Sequence, residues 1–353
     1  MEKKILIFII FFGLTNFQTN LKSNVSELIY LVTDNQVIDE NVCPSLMILW
    51  SKFQKAVQLK SNYVVKAVSV NSDRDKLLTK LENAKLVLDI TYNSKFALSL
   101  LPLAQQNKWL LNKMVVFLFE PPAVCLPIWD ASFHSQLALV FTWDDSLFNQ
   151  KNYAPMRFPS HFGEKLDLKQ VVPFEQRKLC CLINCYKRLS HPKSLYQKRL
   201  DDIMFFEINH PDVFDFYGVG WPTNKYKTYR GQIPLYHKME YLKKYKFSLC
   251  YENMQAPGWV TEKIFHCFHA GCVPVYLGAD NIKQFVPDNC FIDRGKFKNM
   301  AELYQFLNNM SQAEYDNYLV NIKQYLDSSQ PYEFAQQRTT EYIMAGILSL
   351  KLS

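Results

Sequence analysis

Short apolar runs alternate with amphipathic stretches along most of the chain. In the first half the runs have the length of β-strands, and the stretches between them repeat apolar residues with the helical period; strands are predicted at 29–32, 63–70, 86–90, 115–119 and 138–142, and helices at 45–59 and 75–84. Strands that alternate with helices are typical of a parallel sheet. The pattern therefore predicts a first α/β domain over residues 25–160.

The alternation resumes after a segment, 155–173, that mixes proline with charged residues and is predicted to be a linker. The second half is predicted to contain strands at 178–184 and 213–217 and helices at 195–207, 302–308, 312–326 and 342–352. We therefore expect a second α/β domain over 174–335, with a C-terminal helix in 336–353. Both predicted domains are Rossmann-like.

Polar residues interrupt the alternation at one informative place, within 247–278. An apolar run of strand length stops at Glu252, a loop follows, and Thr261 begins a segment with helical periodicity that ends at Gly271. A second apolar run then follows at 272–277. This strand–loop–helix–strand unit places polar residues at the carboxyl end of a strand and at a helix start, where open parallel sheets bind nucleotides.

The order of these polar residues resembles the donor-binding signature of the α-1,3/1,4-fucosyltransferases. Glu252-Asn253 is followed, after seven residues, by Thr261-Glu262-Lys263 and then by Ala-Gly-x-Val-Pro-Val and Leu-Gly. Members of that family, glycosyltransferase family 10, are inverting enzymes that use GDP-fucose. The resemblance implies an α/β fold of GT-B architecture, with two Rossmann-like domains facing a cleft. It also implies transfer of L-fucose to an acceptor glycan, for which we expect the 3-hydroxyl of GlcNAc or glucose.

The resemblance assigns donor contacts within this signature. Glu262 is expected to hold donor hydroxyls, Lys263 the phosphates or fucose, and Asn253 another part of the donor, with Thr261 beside them. Trp259 is placed in the same set, although many relatives have Tyr there, so a contact through a phenol oxygen would be lost. Without the resemblance, a Glu-Lys pair at a helix start would indicate only capping and solubility.

A second group of cations precedes and enters the predicted helix at 195–207. Relatives place a Lys or Arg of this stretch against the diphosphate. Arg199 can offer a bidentate fork to phosphate oxygens, and Lys198 is the competing choice. Lys187 and Arg188, in the preceding loop, are further options.

Glu120 is the predicted catalytic base. It follows an apolar strand, in a Phe119-Glu120-Pro121-Pro122 segment that resembles the Glu-Ser-Pro segment of the family's acceptor domain. Apolar walls would raise the pKa of its carboxyl toward that of a useful base. The alternative is that Glu120 only pairs with a basic residue across the cleft. Asp145, in a stretch similar to the family's Thr-Tyr-basic-basic-Asp-Ser segment, is predicted on the acceptor side and is the second candidate for the base.

The positive charge of the chain agrees with a phosphorylated ligand. The formal net charge is +7, and between 177 and 246 there are fourteen Lys or Arg against six Asp or Glu, an excess of eight. Such a region can serve nucleic acid, an anionic membrane or a phosphorylated small molecule. Because the cations are dispersed among Tyr, Leu and Phe and no nucleic-acid motif accompanies them, we expect a diphosphate pocket and no nucleic-acid partner.

No cofactor or metal site is predicted. Nine cysteines occur without a CxxC pair, and the sequence neither indicates nor excludes disulfides. Asp73-Arg74-Asp75 is an Asp-x-Asp triplet of the kind used by metal-dependent glycosyltransferases, but no apolar strand leads directly into it. We therefore expect a metal-independent donor site that relies on protein cations.

The N-terminus leaves the compartment open. Lys3 and Lys4 precede about ten apolar residues, so 1–20 is predicted to be a signal or signal-anchor segment, which favours the secretory pathway or a membrane. The alternative is a buried first strand at 3–12, which favours the cytoplasm.

Two other functions remain open from the sequence alone. A GT-B glycosyltransferase with a different nucleotide sugar would share the fold and the cleft. A catalytically silent glycan-binding protein would share the fold without needing Glu120.

Overall fold

The computed structural model describes residues 27–33, 44–60, 63–70, 72–89, 100, 103–160, 165–234 and 237–350. The predicted N-terminal segment, 1–20, and its alternative, a strand at 3–12, lie outside the described residues. Across these ranges, no helix combines the length and the apolar character needed to cross a bilayer.

The first sheet is parallel throughout and has the order β2-β1-β3-β4-β5-β6. Its strands are β1 (Glu27–Thr33), β2 (Tyr63–Ser69), β3 (Leu86–Asp89), β4 (Met114–Phe117), β5 (Leu139–Thr142) and β6 (Tyr153–Pro155). The helices described in this part are α1 (Pro44–Lys60), α2 (Arg74–Glu82), α3 (Lys108–Leu111) and α4 (Ala131–His134).

Both faces of this sheet are buried, which explains why its strands are apolar at consecutive positions. On β1, Ile29 and Leu31 join one apolar cluster, whereas Tyr30 and Val32 join the cluster on the opposite face. Successive side chains of a strand point to opposite faces, so a strand covered on both sides needs apolar residues throughout.

The second sheet is also parallel and has the order β11-β10-β9-β7-β8. Its strands are β7 (Lys178–Ile183), β8 (Phe214–Tyr217), β9 (Tyr245–Tyr251), β10 (Val273–Leu277) and β11 (Ile292–Asp293). The helices of this part are α5 (Tyr196–Asn209), α6 (Lys238–Leu242), α7 (Glu262–His269), α8 (Met300–Asn309) and α9 (Gln312–Asp327). A capping box is present at the start of α9, where the Ser311 and Glu314 side chains bond each other's backbone N–H groups.

The C-terminal helix, α10 (Gln336–Ser349), returns to the first domain. Its first residue, Gln336, lies six residues before 342, where the helix was predicted to start. Ile343, Met344 and Ile347 are buried in the same apolar cluster as Phe141 of β5. Gly346 allows this close approach, because a Cβ at that position would lie 2.6 Å from the Phe141 ring. The chain therefore crosses between the two sheets twice.

Candidate active site

Glu252 is the buried centre of the carboxyl edge of the second sheet. It directly follows β9, and its side chain is fully buried. The backbone N–H and the hydroxyl of Thr261 donate to its carboxylate, each over 2.9 Å, and Lys263 Nζ donates to it over 2.9 Å. A carboxylate removed from water needs hydrogen-bond donors, and here one of the donors, Lys263, is also positively charged. Glu252 therefore fixes the start of α7 against the end of β9.

Thr261 orients Lys263 instead of facing a ligand. It is buried, and its hydroxyl accepts from Lys263 Nζ over 2.8 Å while donating to Glu252. The predicted donor contact by Thr261 is therefore not supported by its placement, because the hydroxyl is used inside the protein. Lys263 keeps 21% of its side chain exposed, so it is both anchored and accessible.

Glu262 and Lys263 lie side by side at the start of α7 with opposite charges. Burial raises the pKa of Glu262, but Lys263, Lys238 and His266 together hold that pKa below its usual value. Burial lowers the pKa of Lys263, but Glu252 and Glu262 raise it above its usual value. Both groups are therefore charged at neutral pH, as recognition of sugar hydroxyls and phosphate requires.

Arg199 contributes a second fixed cation from α5. Its guanidinium is buried and lies over the Tyr196 ring, 4.6 Å from the centroid. It donates to the carbonyl of Tyr251 over 2.6 Å and to Asn253 Oδ1 over 3.1 Å. Two residues predicted to contact the donor, Arg199 and Asn253, are therefore joined at the same edge as Lys263.

Two neighbouring cavities open beside these cations. The smaller, about 30 Å³, is lined by Arg199, Lys238 and Lys263. The larger, about 320 Å³, shares Asn184 with the first and has aromatic and cationic walls formed by Tyr186, Lys187, Arg188 and Trp221. The rings of Tyr186 and Trp221 lie 4.9 Å apart. Aromatic walls beside clustered cations suit a nucleoside diphosphate.

Lys198 lines neither cavity. Its ammonium group pairs instead with Asp202, one helical turn along α5, at 2.8 Å. Between the two competing sequence-based candidates, the placement favours Arg199.

Glu120 faces this edge from the first domain. It follows β4, and its carboxylate makes no hydrogen bond or ion pair within the described part of the chain. Removal from water raises the pKa of Glu120; Lys263 and Lys187 lower it in part, whereas Glu262 and Glu252 raise it further. All four of these charged side chains belong to the second domain. The Glu120 carboxylate therefore faces the predicted donor residues across the cleft.

Asp145 connects the two domains. One carboxylate oxygen accepts from Arg157 Nη1 over 2.6 Å, and the other accepts from Asn281 Nδ2 over 2.8 Å. Because both oxygens are engaged, Asp145 is a weaker candidate for the base than Glu120. Its role in the structure is to hold a loop of the second domain against the first.

The loop between β9 and α7 lies directly on the first domain. Gly258 N–H donates to Asn281 Oδ1 over 2.8 Å, and a Cβ on Gly258 would lie 2.2 Å from the Trp143 carbonyl oxygen. Gly258 also has a φ of +80°, which favours glycine. Both the contact and the backbone conformation therefore require glycine here.

Trp259 is part of this interdomain contact. It is 1% exposed, its ring lies 4.6 Å from that of Trp143, and it meets the Phe158 ring edge-on at 5.8 Å. The predicted donor contact by Trp259 is therefore not supported, because apolar packing between the domains covers the indole. Its position in the signature predicted a donor contact, and no pattern in the sequence indicates that Trp143 lies beside it.

Lys238 is the residue at this edge that the sequence did not single out. Its ammonium group contacts Glu262 at 3.4 Å and lines the smaller cavity. It lies on the five-residue helix α6, within the basic stretch 177–246, and that charge excess was its only sequence signal.

Within the described ranges, no three His, Cys, Asp or Glu side chains form a group able to hold a metal ion. Asp73 is instead the N-cap of α2, where its carboxylate accepts from Lys76 N over 3.1 Å. Independence from metal stays a prediction.

The second domain matches a known family. Residues 204–344 match the family model described as Glycosyltransferase family 10 (fucosyltransferase) C-term. The matched segment covers less than half of the chain. The resemblance of the signature to the α-1,3/1,4-fucosyltransferases is confirmed by this match, which contains Glu252, Glu262 and Lys263.

Relatives that are 30–52% identical to the chain align over only 50–99 residues. An α-(1,4)-fucosyltransferase of Arabidopsis thaliana is 44% identical over 63 residues, which are 18% of this chain and 16% of that protein. The chain spans about a fifth or less of the length of five of the curated relatives that it matches.

The whole fold is shared with solved glycosyltransferases. A crystal structure of an α1,3-fucosyltransferase with GDP aligns over 94% of both chains with a TM-score of 0.53 and 13% identity. Anabaena Alr3699/HepE, solved in complex with UDP-glucose, aligns over 91% of this chain and 100% of its own, with a TM-score of 0.57 and 11% identity. Identities this low show the fold alone, and that fold is GT-B. The predicted α/β GT-B class is confirmed.

Proposed function

We propose that the protein transfers L-fucose from GDP-fucose to a hydroxyl group of an acceptor glycan, with inversion at the anomeric carbon. The observation that carries the proposal is that Glu120 stands across the cleft from Glu262 and Lys263 of the segment that matches family 10, with no partner for its carboxylate among the described residues. A fucosyltransferase solved with GDP has the same fold, which supports this donor class.

The donor is held by the second domain in this proposal. The diphosphate lies against Arg199 and Lys263, whose positions are fixed by Asn253 and Glu252 respectively. Glu262 accepts from donor hydroxyls. The nucleoside occupies the cavity of about 320 Å³, because it adjoins these cations and has aromatic walls.

The chemical step is a single displacement. The Glu120 carboxylate takes the proton of the acceptor hydroxyl, whose oxygen forms a bond to the anomeric carbon of fucose from the face opposite GDP. The bond from that carbon to the β-phosphate oxygen breaks, and GDP leaves with the bonding electron pair. Lys263 and Arg199 offset the negative charge that grows on the phosphate, which is the task that a metal ion performs in other transferases.

The acceptor, linkage and compartment are finer parts of the proposal. We expect the 3-hydroxyl of GlcNAc or glucose, because the signature resembles that of the α-1,3/1,4-fucosyltransferases. The basic and apolar segment 1–20 supports a membrane-associated or secretory location. Cell fractionation tests the location, and turnover in excess EDTA tests independence from metal.

Two experiments test the donor and the activity. Melting temperature with GDP and with UDP at equal concentrations should rise only with GDP; stabilisation by UDP alone would favour a transferase for another nucleotide sugar. Incubation with labelled GDP-fucose and a panel of glycans should label one acceptor class. If GDP stabilises the protein but no panel member is labelled and Glu120→Gln binds glycans as the wild type does, a silent glycan-binding protein is the better account.

A further inference from the structure

A third cavity lies on the second domain, away from the cleft. Its volume is about 560 Å³, which is within the range of small-ligand sites, and it is formed by α8, α9 and the loop before β11. It shares no lining residue with the two cavities beside Arg199 and Lys263. The loop leads into the amino end of β11, whereas Glu252 follows the carboxyl end of β9. In a parallel sheet these ends lie at opposite edges, so the third cavity is separate from the proposed donor site.

Side-chain carboxamides dominate the lining of this cavity. Five of its nine residues carry one, namely Asn289, Gln305, Asn309, Asn317 and Asn321. The side-chain amides of Gln305, Asn309 and Asn317 make no hydrogen bond within the described part of the chain. A carboxamide donates through nitrogen and accepts through oxygen, which matches the paired donor and acceptor character of a sugar hydroxyl.

Aromatic surface accompanies these amides. Phe306 is 42% exposed, a large fraction for a phenylalanine, and Tyr318 completes the aromatic part of the lining. The faces of such rings suit the C–H surface of a pyranose. An amide-lined cavity with an exposed ring therefore offers both kinds of contact that a sugar makes.

The charges of the lining exclude other ligand classes. It contains no Lys or Arg, in contrast to the cavity that holds Lys187 and Arg188, so it has no cation for a phosphate or a carboxylate. Its one carboxylate, Glu314, already accepts from the N–H and the hydroxyl of Ser311 over 2.8 and 2.7 Å. A single engaged carboxylate is also too little for a metal ion.

We propose that this cavity is a second carbohydrate site, which binds a neutral oligosaccharide independently of the donor. The inference goes beyond the proposed transfer, because binding here requires neither GDP-fucose nor Glu120. An acceptor glycan long enough to reach both edges of the second domain would be retained by this site during repeated encounters with the cleft.

Binding is tested on the full chain by isothermal titration with two neutral probes, tri-N-acetylchitotriose and a poly-N-acetyllactosamine tetrasaccharide. The protein is produced without N-glycosylation, because Asn309-Met310-Ser311 is a glycosylation acceptor pattern. Asn317→Ala removes an exposed amide and should not destabilise the fold. Phe306→Ala removes the aromatic ring. Each should weaken binding of at least one probe about threefold to tenfold.

Val320→Ala is the matched control, since Val320 is exposed on α9 but is not part of the lining. It should bind as the wild type does. The proposal is wrong if neither probe binds the wild type, or if Asn317→Ala and Phe306→Ala retain wild-type affinity. Because the titration contains no GDP-fucose, failure of the transfer proposal leaves these outcomes unchanged. If Asn317→Ala binds the probe more weakly but still transfers fucose to a monosaccharide acceptor, the two sites are separate.

Discussion

Glu120 and Glu252 occupy comparable places on facing sheets, yet their surroundings are opposite. Each follows a strand of a parallel sheet at the edge beside the cleft. Glu252 is fully buried and receives hydrogen bonds from Thr261 and Lys263, whereas the Glu120 carboxylate has no partner among the described residues, and removal from water raises its pKa. A partnered carboxylate is a structural anchor, and an unpartnered one with a raised pKa is suited to accept a proton.

Removal of the charged partner of Glu252 should have the largest effect on stability. Lys263→Met leaves the Glu252 carboxylate buried without its cation, which should lower the free energy of unfolding by about 3–5 kcal/mol. Glu120→Gln is the matched control on the other side, and it should stay within about 0.5 kcal/mol of the wild type. Urea unfolding measures both. Equal destabilisation by the two substitutions would remove the distinction between anchor and base.

Low pH should reduce stability through His266 and activity through Glu120. Burial lowers the pKa of His266 to about 4, although Glu262 raises it and Lys238, His269 and Lys263 lower it further. Since the unfolded chain binds the proton with a pKa near 6.5, stability should be complete above that pH and fall by at most about 3 kcal/mol as the pH drops from 6.5 to 4.

His266→Gln separates this loss of stability from catalysis. It should flatten the dependence of the melting temperature on pH over that window. The acid limb of kcat/KM should remain, because Glu120 must be deprotonated to act and its pKa lies above the usual value for glutamate. If the acid limb disappears in His266→Gln, the limb in the wild type is caused by unfolding and not by protonation of Glu120.

The second carboxylate of the first domain should matter for domain contact. Asp145→Asn weakens the pair with Arg157 and should cost about 2 kcal/mol of stability, because the guanidinium is largely buried. Asp144→Asn is the neighbouring control, which changes a cap whose oxygen accepts from the N–H and the hydroxyl of Ser146 over 2.9 and 2.7 Å. It should cost about 1 kcal/mol or less. If Asp145→Asn instead removes transfer as completely as Glu120→Gln while the fold persists, Asp145 takes part in the chemistry.

The smallest effect is expected at the buried indole of the signature. Trp259→Tyr should cost about 1 kcal/mol of stability, because the indole N–H has no acceptor within the described residues and most of the packing against Trp143 is retained. The KM for the donor should change less than about threefold, because apolar packing between the domains covers the indole. A much larger rise in donor KM would return Trp259 to the donor site.

The sequence predicted those features that depend on local pattern. Glu252, Glu262 and Lys263 were placed correctly at one sheet edge because strand, loop and helix follow one another within twenty residues. The strands Tyr153–Pro155 and Ile292–Asp293 were missed, because runs of three and two residues carry no periodicity. Lys238 was missed for a similar reason, since its helix has five residues.

Contacts between distant parts of the chain were beyond sequence reasoning. Asp145 and Asn281 are 136 residues apart, and their hydrogen bond is what marks Asp145 as a connector. The burial of Trp259 likewise depends on Trp143 of the other domain. By contrast, the raised pKa of Glu120 agrees with its predicted apolar surroundings, because the strand that precedes it supplies part of them.

The most direct test is single-turnover transfer from labelled GDP-fucose by the wild type and by Glu120→Gln, with GDP affinity measured on the same samples. We expect Glu120→Gln to lose about 10²- to 10⁴-fold in rate and to bind GDP as tightly as the wild type does. Wild-type turnover in Glu120→Gln, on a protein that still binds GDP, would contradict the assignment of Glu120 as the base.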